Sequence, residues 1–123
     1  MRMERRVKRS HNVHEALELQ LVASMERAGF TSVILAEDQG FPVAGAGSVR
    51  DSEEIAALAP GLVPGKKLWQ GRIAIDNGPE KLVTITPLET EVGQLYLCGV
   101  GGDASKVLTE LSLSCQGVHR ILA

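Results

Sequence analysis

Residues 30–47 read Phe-Thr-Ser-Val-Ile-Leu-Ala-Glu-Asp-Gln-Gly-Phe-Pro-Val-Ala-Gly-Ala-Gly. A run of β-branched and aliphatic residues, Thr31 to Ala36, meets a polar turn that ends at Gly40, and a second extended run continues from Phe41 to Ala46. This pattern predicts a tight β-hairpin. The first strand is apolar on both of its alternating faces, so we expect it in the middle of a sheet that is covered on both sides. Pro42 cannot donate a hydrogen bond to a neighbouring strand and therefore places the second strand at a sheet edge.

The first helix is predicted from Val13 to Ala28, before the hairpin. Asn12 and Glu15 form a capping-box pattern at its start, and Gly29 stands where a helix commonly ends. Leu19 and Val22 widen its apolar stripe. We therefore expect this helix to lie flat on the sheet.

Two further helices are predicted after the hairpin. Asp51 is expected to cap the second, with Glu54 as its capping-box partner. Pro60 and Pro64 are expected to shorten or bend this helix, since each removes a backbone donor. Asp103 is expected to cap the third helix, which should end or bend near Gly117. The apolar stripe of the second helix consists of Ile55, Leu58, Ala59 and Leu62.

Three strands are predicted between the second and third helices: Arg72 to Asp76, Lys81 to Thr86 and Gln94 to Val100. A turn is expected between Pro87 and Glu91. The last strand is apolar on both faces, so it belongs beside the first strand of the hairpin. Short, uncrossed connections then give an α+β domain of order α-β-β-α-β-β-β-α with a five-stranded antiparallel sheet in the order 2-1-5-4-3, sandwiched by helices. The edge strand Arg72 to Asp76 has no proline and is predicted to pair with a second copy of the chain.

The composition bounds the class of protein. The 123 residues suit a single domain, predicted as 12–123, after a basic and flexible arm of residues 1–11. That arm holds five of the thirteen basic residues, and it predicts at most a weak contact with an anionic surface. Aromatic residues make up only 3% of the chain, which argues against a nucleic-acid stacking platform. The absence of an apolar run of ~20 residues and the two isolated cysteines predict a cytoplasmic protein.

Three groups of residues are candidates for chemical sites. The run Gly99-Val-Gly-Gly-Asp resembles a phosphate-binding loop but lacks the lysine of a Walker motif, so a simple turn is favoured. His11 and His14 have no third metal ligand at a suitable spacing. A nucleophilic site is disfavoured because no orienting acid accompanies Ser112, Ser114, Cys115 and His119. We therefore expect no catalytic residue, no cofactor and no metal.

The segments Val33-Ile-Leu-Ala-Glu-Asp-Gln-Gly-Phe-Pro-Val-Ala and Glu54-Ile-Ala-Ala-Leu-Ala, with the order of the elements, resemble the roadblock/dynein light chain family. The resemblance covers residues 13–118. Pro60 and Pro64 depart from the long, alanine-rich second helix that is usual there. The resemblance implies a roadblock fold of profilin-like architecture and a homodimer that joins its third strands into a ten-stranded sheet, with the second helices side by side. It also implies that the protein acts beside a small Ras-like GTPase, as bacterial members often do.

The functional hypothesis is a non-enzymatic, homodimeric adaptor or regulator of such a GTPase. The residues expected at the dimer interface are Arg72, Ile73, Ala74, Ile75, Leu58 and Leu62. The residues expected to contact the partner are Arg50, Glu53, Glu54 and Trp69. Trp69 suits core packing and an interface equally well. The alternative is a small-molecule sensor of profilin- or PAS-like architecture, which would need a cavity between sheet and helices.

Overall fold

The computed structural model of the chain describes residues 2–63, 65 and 67–123, without the side chains of residues 2–11 and 49. The elements follow the predicted order. They are helix α1 (Arg2–Ala28), strands β1 (Phe30–Glu37) and β2 (Pro42–Gly47), helix α2 (Val49–Leu62), strand β3 (Trp69–Ala74), a 3₁₀ turn (Ile75–Asn77), strands β4 (Glu80–Thr90) and β5 (Gly93–Gly101), and helix α3 (Val107–Leu122).

The five strands form one antiparallel sheet in the order β2-β1-β5-β4-β3. The predicted topology is therefore confirmed. Strand β1 lies in the interior, where Ile34 is opposite Gly45 of β2 and Cys98 of β5. Pro42 lies on the edge strand β2, as its missing donor requires.

Two apolar layers cover the two faces of the sheet. Val33 and Leu35 of β1 point into a cluster that α1 and α3 complete with Leu17, Leu21, Val107, Leu111 and Val118. Ile34 and Ala36 point into the other cluster, which α2 completes with Ile55, Ala56 and Ala59. Alternate residues of β1 thus belong to two different apolar clusters, one on each face of the sheet. The prediction that helices cover both faces is confirmed.

Helix α1 begins earlier than predicted. It starts at Arg2, so Asn12 lies inside the helix and does not cap it. The flexibility predicted for residues 1–11 stays a prediction. Leu19 and Val22 do not lie on the sheet, and Leu19 is 65% exposed. The reason is that α1 turns Leu17, Leu21 and Ala28 inward, which places Leu19 on the opposite side of the helix.

Helix α2 is capped by Ser48 and not by Asp51. The Ser48 side chain accepts a hydrogen bond from the backbone N–H of Asp51 at 3.3 Å. The hydroxyl of Ser32 in β1 accepts from the Ser48 N–H at 3.2 Å and donates to Asp51 Oδ2 at 3.3 Å. A residue remote in sequence therefore fixes where α2 starts.

Pro60 does not end α2. The helix continues to Leu62, and the N–H of Val63 donates to the Ala59 carbonyl at 3.2 Å. Pro64, the other residue expected to shorten the helix, lies outside the described residues.

Strands β3 and β4 also differ from the prediction. β3 ends at Ala74, because Ile75 and Asp76 belong to the 3₁₀ turn. β4 continues through Pro87 to Thr90, so the expected turn from Pro87 to Glu91 is wrong. Pairing between β3 and β4 stops at Trp69 and Ile85, which leaves Pro87 with a neighbouring strand on one side only. A proline is tolerated in a strand at such a position.

Helix α3 starts at Val107, and Asp103 does not cap it. Asp103 Oδ1 instead accepts hydrogen bonds from the N–H and the hydroxyl of Ser105, at 3.0 and 2.8 Å, and these lower the pKa of the Asp103 carboxyl. Gly117 neither ends nor bends the helix, which continues to Leu122. Gly117 is buried where α3 packs against α1, and a Cβ there would meet only the terminal amide of Gln20, which is free to rotate away.

Candidate functional site

Strand β3 forms an open edge of the sheet. Within the described chain it pairs only with β4, from Trp69 opposite Ile85 to Ala74 opposite Glu80. Its residues alternate between half-buried and exposed, and the strand contains no proline. The outer backbone N–H and C=O groups of such a strand are available to pair with another chain.

Trp69 lies flat over its own strand. A Cβ added at Gly71 would be 2.7 Å from the edge of the Trp69 indole, so the ring covers Gly71 on the α2 side of the sheet. Trp69 is half-buried and packs against the α2-side core cluster, as do Ile73 and Leu62. These three half-buried side chains extend the core to the open edge. At this place Trp69 can pack in the core and can also contact a second chain.

The outer side of α2 adds apolar surface beside that edge. Ile55 and Ala59 of the predicted stripe are fully buried, whereas Leu58 is 39% exposed and Leu62 is half-buried. The helix packs mainly on β1, β2 and β5. The face of β3 on this side is therefore covered by Trp69 and Ile73 and not by a helix.

Five of the six residues expected at a dimer interface lie on these two elements. Arg72, Ile73 and Ala74 are on β3, and Leu58 and Leu62 are on α2. Ile75 is different, because its side chain is buried in the core of its own chain. The strand ends one residue before it, so Ile75 anchors the 3₁₀ turn and does not extend the edge.

Of the four residues expected to contact a partner, Arg50, Glu53 and Glu54 lie in the first part of α2, and Trp69 lies on β3. Two of the three on α2 hold the connection between β3 and β4. Arg50 Nη1 is 2.8 Å from Asp76 Oδ2, and Glu54 Oε2 accepts a hydrogen bond from the Asp76 N–H at 2.8 Å. Asp76 has a φ of 53°, which non-glycine residues rarely adopt. Glu53 is exposed. The sequence marks a turn at Asn77-Gly78-Pro79 but gives no sign that α2 holds it.

The glycine run from Gly99 to Asp103 begins inside β5 and has a packing role. A Cβ at Gly99 or at Gly102 would collide with the ring of Phe30. The carboxylate of Asp103 is occupied by Ser105. These contacts explain Gly99 and Gly102 without a phosphate, and the run is the end of β5 followed by the start of the connection to α3.

Ser114, Cys115 and His14, three of the side chains considered for nucleophilic or metal chemistry, are engaged in packing or in polar contacts, whereas Ser112 and His119 are exposed. Ser24 Oγ donates to Ser114 Oγ at 2.7 Å, and burial raises the pKa of the Cys115 thiol to about 11. Burial also raises the pKa of Cys98, and burial with a hydrogen bond to Asp38 raises that of Tyr96. His14 Nε2 lies 2.6 Å from Glu18 Oε1, whereas the side chain of His11 is outside the described part. Among the described residues, no group of three His, Cys, Asp or Glu side chains is placed to hold a metal ion.

In the described part of the chain, four cavities of 260 to 650 Å³ are grooves open to solvent, and none of these four is an enclosed pocket between the sheet and a helix. The sensor alternative thus gains no support from them. No helix of the described chain has the length and apolar character needed to span a bilayer.

No family model matches the chain, and no curated protein is similar enough in sequence to match it. Solved structures do match in three dimensions. The gliding protein MglB from Thermus thermophilus has a TM-score of 0.68 at 15% identity, covering 89% of this chain and 90% of that one. An MglB with a tetrameric arrangement has a TM-score of 0.67 at 14% identity, with coverage of 89% and 90%. Myxococcus xanthus MglB has a TM-score of 0.69 at 14% identity, with coverage of 88% of both chains. The chain therefore has the roadblock fold of these MglB proteins, and its sequence resemblance to the roadblock/dynein light chain family is confirmed at the level of the fold.

Proposed function

We propose that this protein is a non-enzymatic, homodimeric adaptor that regulates or positions a small Ras-like GTPase in the cytoplasm. The observation that carries the proposal is the open edge of β3 beside the half-exposed apolar side of α2. The fold shared with MglB structures supports the same function, and the sequence resemblance implies the GTPase.

In the proposed dimer, two β3 strands pair across a two-fold axis and form a continuous ten-stranded sheet. A two-fold contact uses the same surface of both copies, so Leu58, Leu62 and Trp69 would each meet residues from the same set. These side chains are half-exposed in the single chain, and their apolar area would leave water on association. The dimer would thus be stabilised both by backbone hydrogen bonds and by apolar contact.

The GTPase is proposed to contact the N-terminal part of α2. Arg50, Glu53 and Glu54 are charged and lie at this end of the helix, where charge sets approach rate and specificity more than affinity. None of these residues is assigned the role of an arginine finger. A change in GTP hydrolysis would therefore come from a rearrangement of the switch loops of the GTPase itself. The basic residues 2–9 are proposed to add at most a weak contact with an anionic surface. If deletion of residues 1–9 causes no loss of association with such a surface, this contact is wrong.

The dimer is tested by light scattering after gel filtration, with a matched pair of variants. Leu58→Glu places a charge in the proposed interface and should convert a dimer into a monomer. Phe41→Glu makes the same change at a 63% exposed position in the β1–β2 turn and should leave the dimer intact. A wild-type protein that is monomeric at every concentration would remove the proposal.

The GTPase is tested separately, with a Ras-like GTPase encoded nearby. The wild-type protein should co-elute with it or change its rate of GTP turnover. If neither occurs while the dimer is present, self-association stands and the regulatory role is wrong.

A further inference from the structure

A second apolar surface lies on the other side of the sheet, on the outer face of α1 and α3. Leu19 of α1 is 65% exposed and Leu113 of α3 is 50% exposed. Together they line a groove of about 650 Å³ between the two helices. The groove is separate from the open edge of β3, and nothing in the proposed function uses it.

The two walls of this groove are fixed to each other from beneath. Ser24 and Ser114 are fully buried and share a 2.7 Å hydrogen bond. Arg27 donates to both carboxylate oxygens of Glu110, at 2.6 and 3.0 Å. Pairing of residue 24 with 114 and of residue 27 with 110 shows that the helices are antiparallel. Because these contacts set their spacing, the groove exists without a ligand.

The groove has an apolar middle and an arginine at each end. Ala16 and Ala23 contribute short side chains to it, which allow another backbone to approach closely. Arg27 lies at one end and Arg120 at the other, and none of the described lining residues is acidic. The chain as a whole has a net charge of −2, so the groove differs in sign from the average surface. The charge of Arg27 is balanced by Glu110, but its side chain is half-exposed and can donate to a further carboxylate, whereas Arg120 carries the net positive charge of the lining.

We propose that this groove docks an amphipathic helix of a partner protein, with an apolar stripe flanked by carboxylates at both ends. Helix-in-groove recognition uses apolar anchors at i, i+3, i+4 and i+7, and the carboxylates would face Arg27 and Arg120. The lining stretch of α1, Ala16 to Arg27, spans roughly 16 Å at 1.5 Å per residue, which fits an occupant of about three turns. A second copy that used this same face would bring two further arginines to it, so a partner of opposite charge fits better.

The probe is a fluorescein-labelled synthetic helix of about five turns. It carries leucines at i, i+3, i+4 and i+7 and glutamates at both ends, and a matched peptide has lysines in place of the glutamates. In fluorescence anisotropy the glutamate peptide should bind at least about tenfold more tightly than the lysine peptide, a difference of about 1.4 kcal/mol. Its advantage should shrink as salt is added. No binding, or equal binding of both peptides, would overturn the proposal.

Variants locate the site. Leu19→Lys and Leu113→Lys should each weaken binding of the glutamate peptide at least about tenfold, because a charge enters the apolar middle. Leu108→Lys is the control, since Leu108 is equally exposed on α3 but does not line the groove. Arg120→Glu should weaken the glutamate peptide and strengthen the lysine peptide. An equal loss with Leu108→Lys would contradict the location.

Light scattering separates this inference from the proposed dimer. Leu19→Lys should leave the mass of the assembly unchanged, whereas Leu58→Glu should lower the mass and leave peptide binding unchanged. A lower mass for Leu19→Lys would identify a second copy as the occupant and would overturn the partner helix. The groove variants and Leu108→Lys change exposed positions, so unchanged circular dichroism and urea midpoints are expected for them.

Discussion

The two edge strands of the sheet have the same length and opposite surroundings. β2 and β3 each contain six residues. α1 and α2 both pack on β2, where Ala44 and Ala46 are buried, Pro42 removes a donor and a bulge interrupts the pairing with β1. β3 packs mainly on β4 and has no fully buried residue. Whether an edge can accept another strand is thus decided by what covers it and not by its place in the sheet.

The largest effect is expected from a substitution in β2, the edge strand on which α1 and α2 pack; we call it the closed edge. Gly47 ends β2 with a φ of 94°, and a Cβ there would collide with the Thr31 carbonyl oxygen and lie 2.8 Å from Ser32 Cα. Because these are backbone atoms of the neighbouring strand, they cannot move aside. Gly47→Ala should lower the free energy of unfolding by about 3 kcal/mol, through steric overlap and left-handed backbone strain. Urea unfolding measures this loss.

The control for Gly47→Ala is a glycine with open space around it. A Cβ at Gly61 in α2 meets no atom within 4 Å, so Gly61→Ala should be neutral or stabilise the protein by up to about 1 kcal/mol. If Gly47→Ala is as well tolerated as Gly61→Ala, the closed edge is less rigid than its contacts indicate.

A smaller effect is expected at the open edge, from Trp69→Ala. Full burial of a tryptophan would make its truncation cost roughly 3–5 kcal/mol, so about 2 kcal/mol is expected for a half-buried one. If Trp69 also contacts a second copy, the variant should be monomeric at concentrations where the wild type is a dimer. Light scattering together with urea unfolding separates the two roles. Lower stability with an unchanged mass would assign Trp69 to the core alone, and Trp69→Phe should show a milder form of either effect.

The smallest effect is expected where the end of β3 is tied to α2. The pair of Arg50 and Asp76 is exposed, so Arg50→Ala should cost less than about 1 kcal/mol. A double-mutant cycle with Asp76→Ala isolates the pair, and its coupling energy should vanish in about 1 M salt. A coupling above about 2 kcal/mol would show that this tie is more than a surface ion pair.

The order of elements and the strand order could be predicted because their signals are local. Apolar residues on both faces of β1 and β5 mark interior strands, and Pro42 marks an edge. The predictions fail where a distant residue decides the outcome. Ser32 fixes the start of α2 through its hydrogen bonds with Ser48 and Asp51. The short β3 allows β4 to continue through Pro87.

The candidate site likewise has one part that the sequence predicts and one part that only the structure reveals. Alternation along β3 predicts an amphipathic edge, but it does not distinguish Ile73 at the surface of that edge from Ile75 in the core. The 3₁₀ turn makes that distinction, and α2 holds the turn through Arg50 and Glu54. The groove between α1 and α3 has no signature in the sequence, because the spacing of Leu19 suits a buried stripe as well as an exposed one.

The sequence by itself determined which segments become helices and strands and which strands lie inside the sheet, since hydrophobic periodicity and proline act within a few residues. Only the tertiary structure decided where α2 and α3 begin, that Ile75 is buried in a 3₁₀ turn instead of extending β3, and which leucines remain in water. Those outcomes depend on close contacts between residues far apart in the chain, and the spacing of residues along one segment carries no information about them.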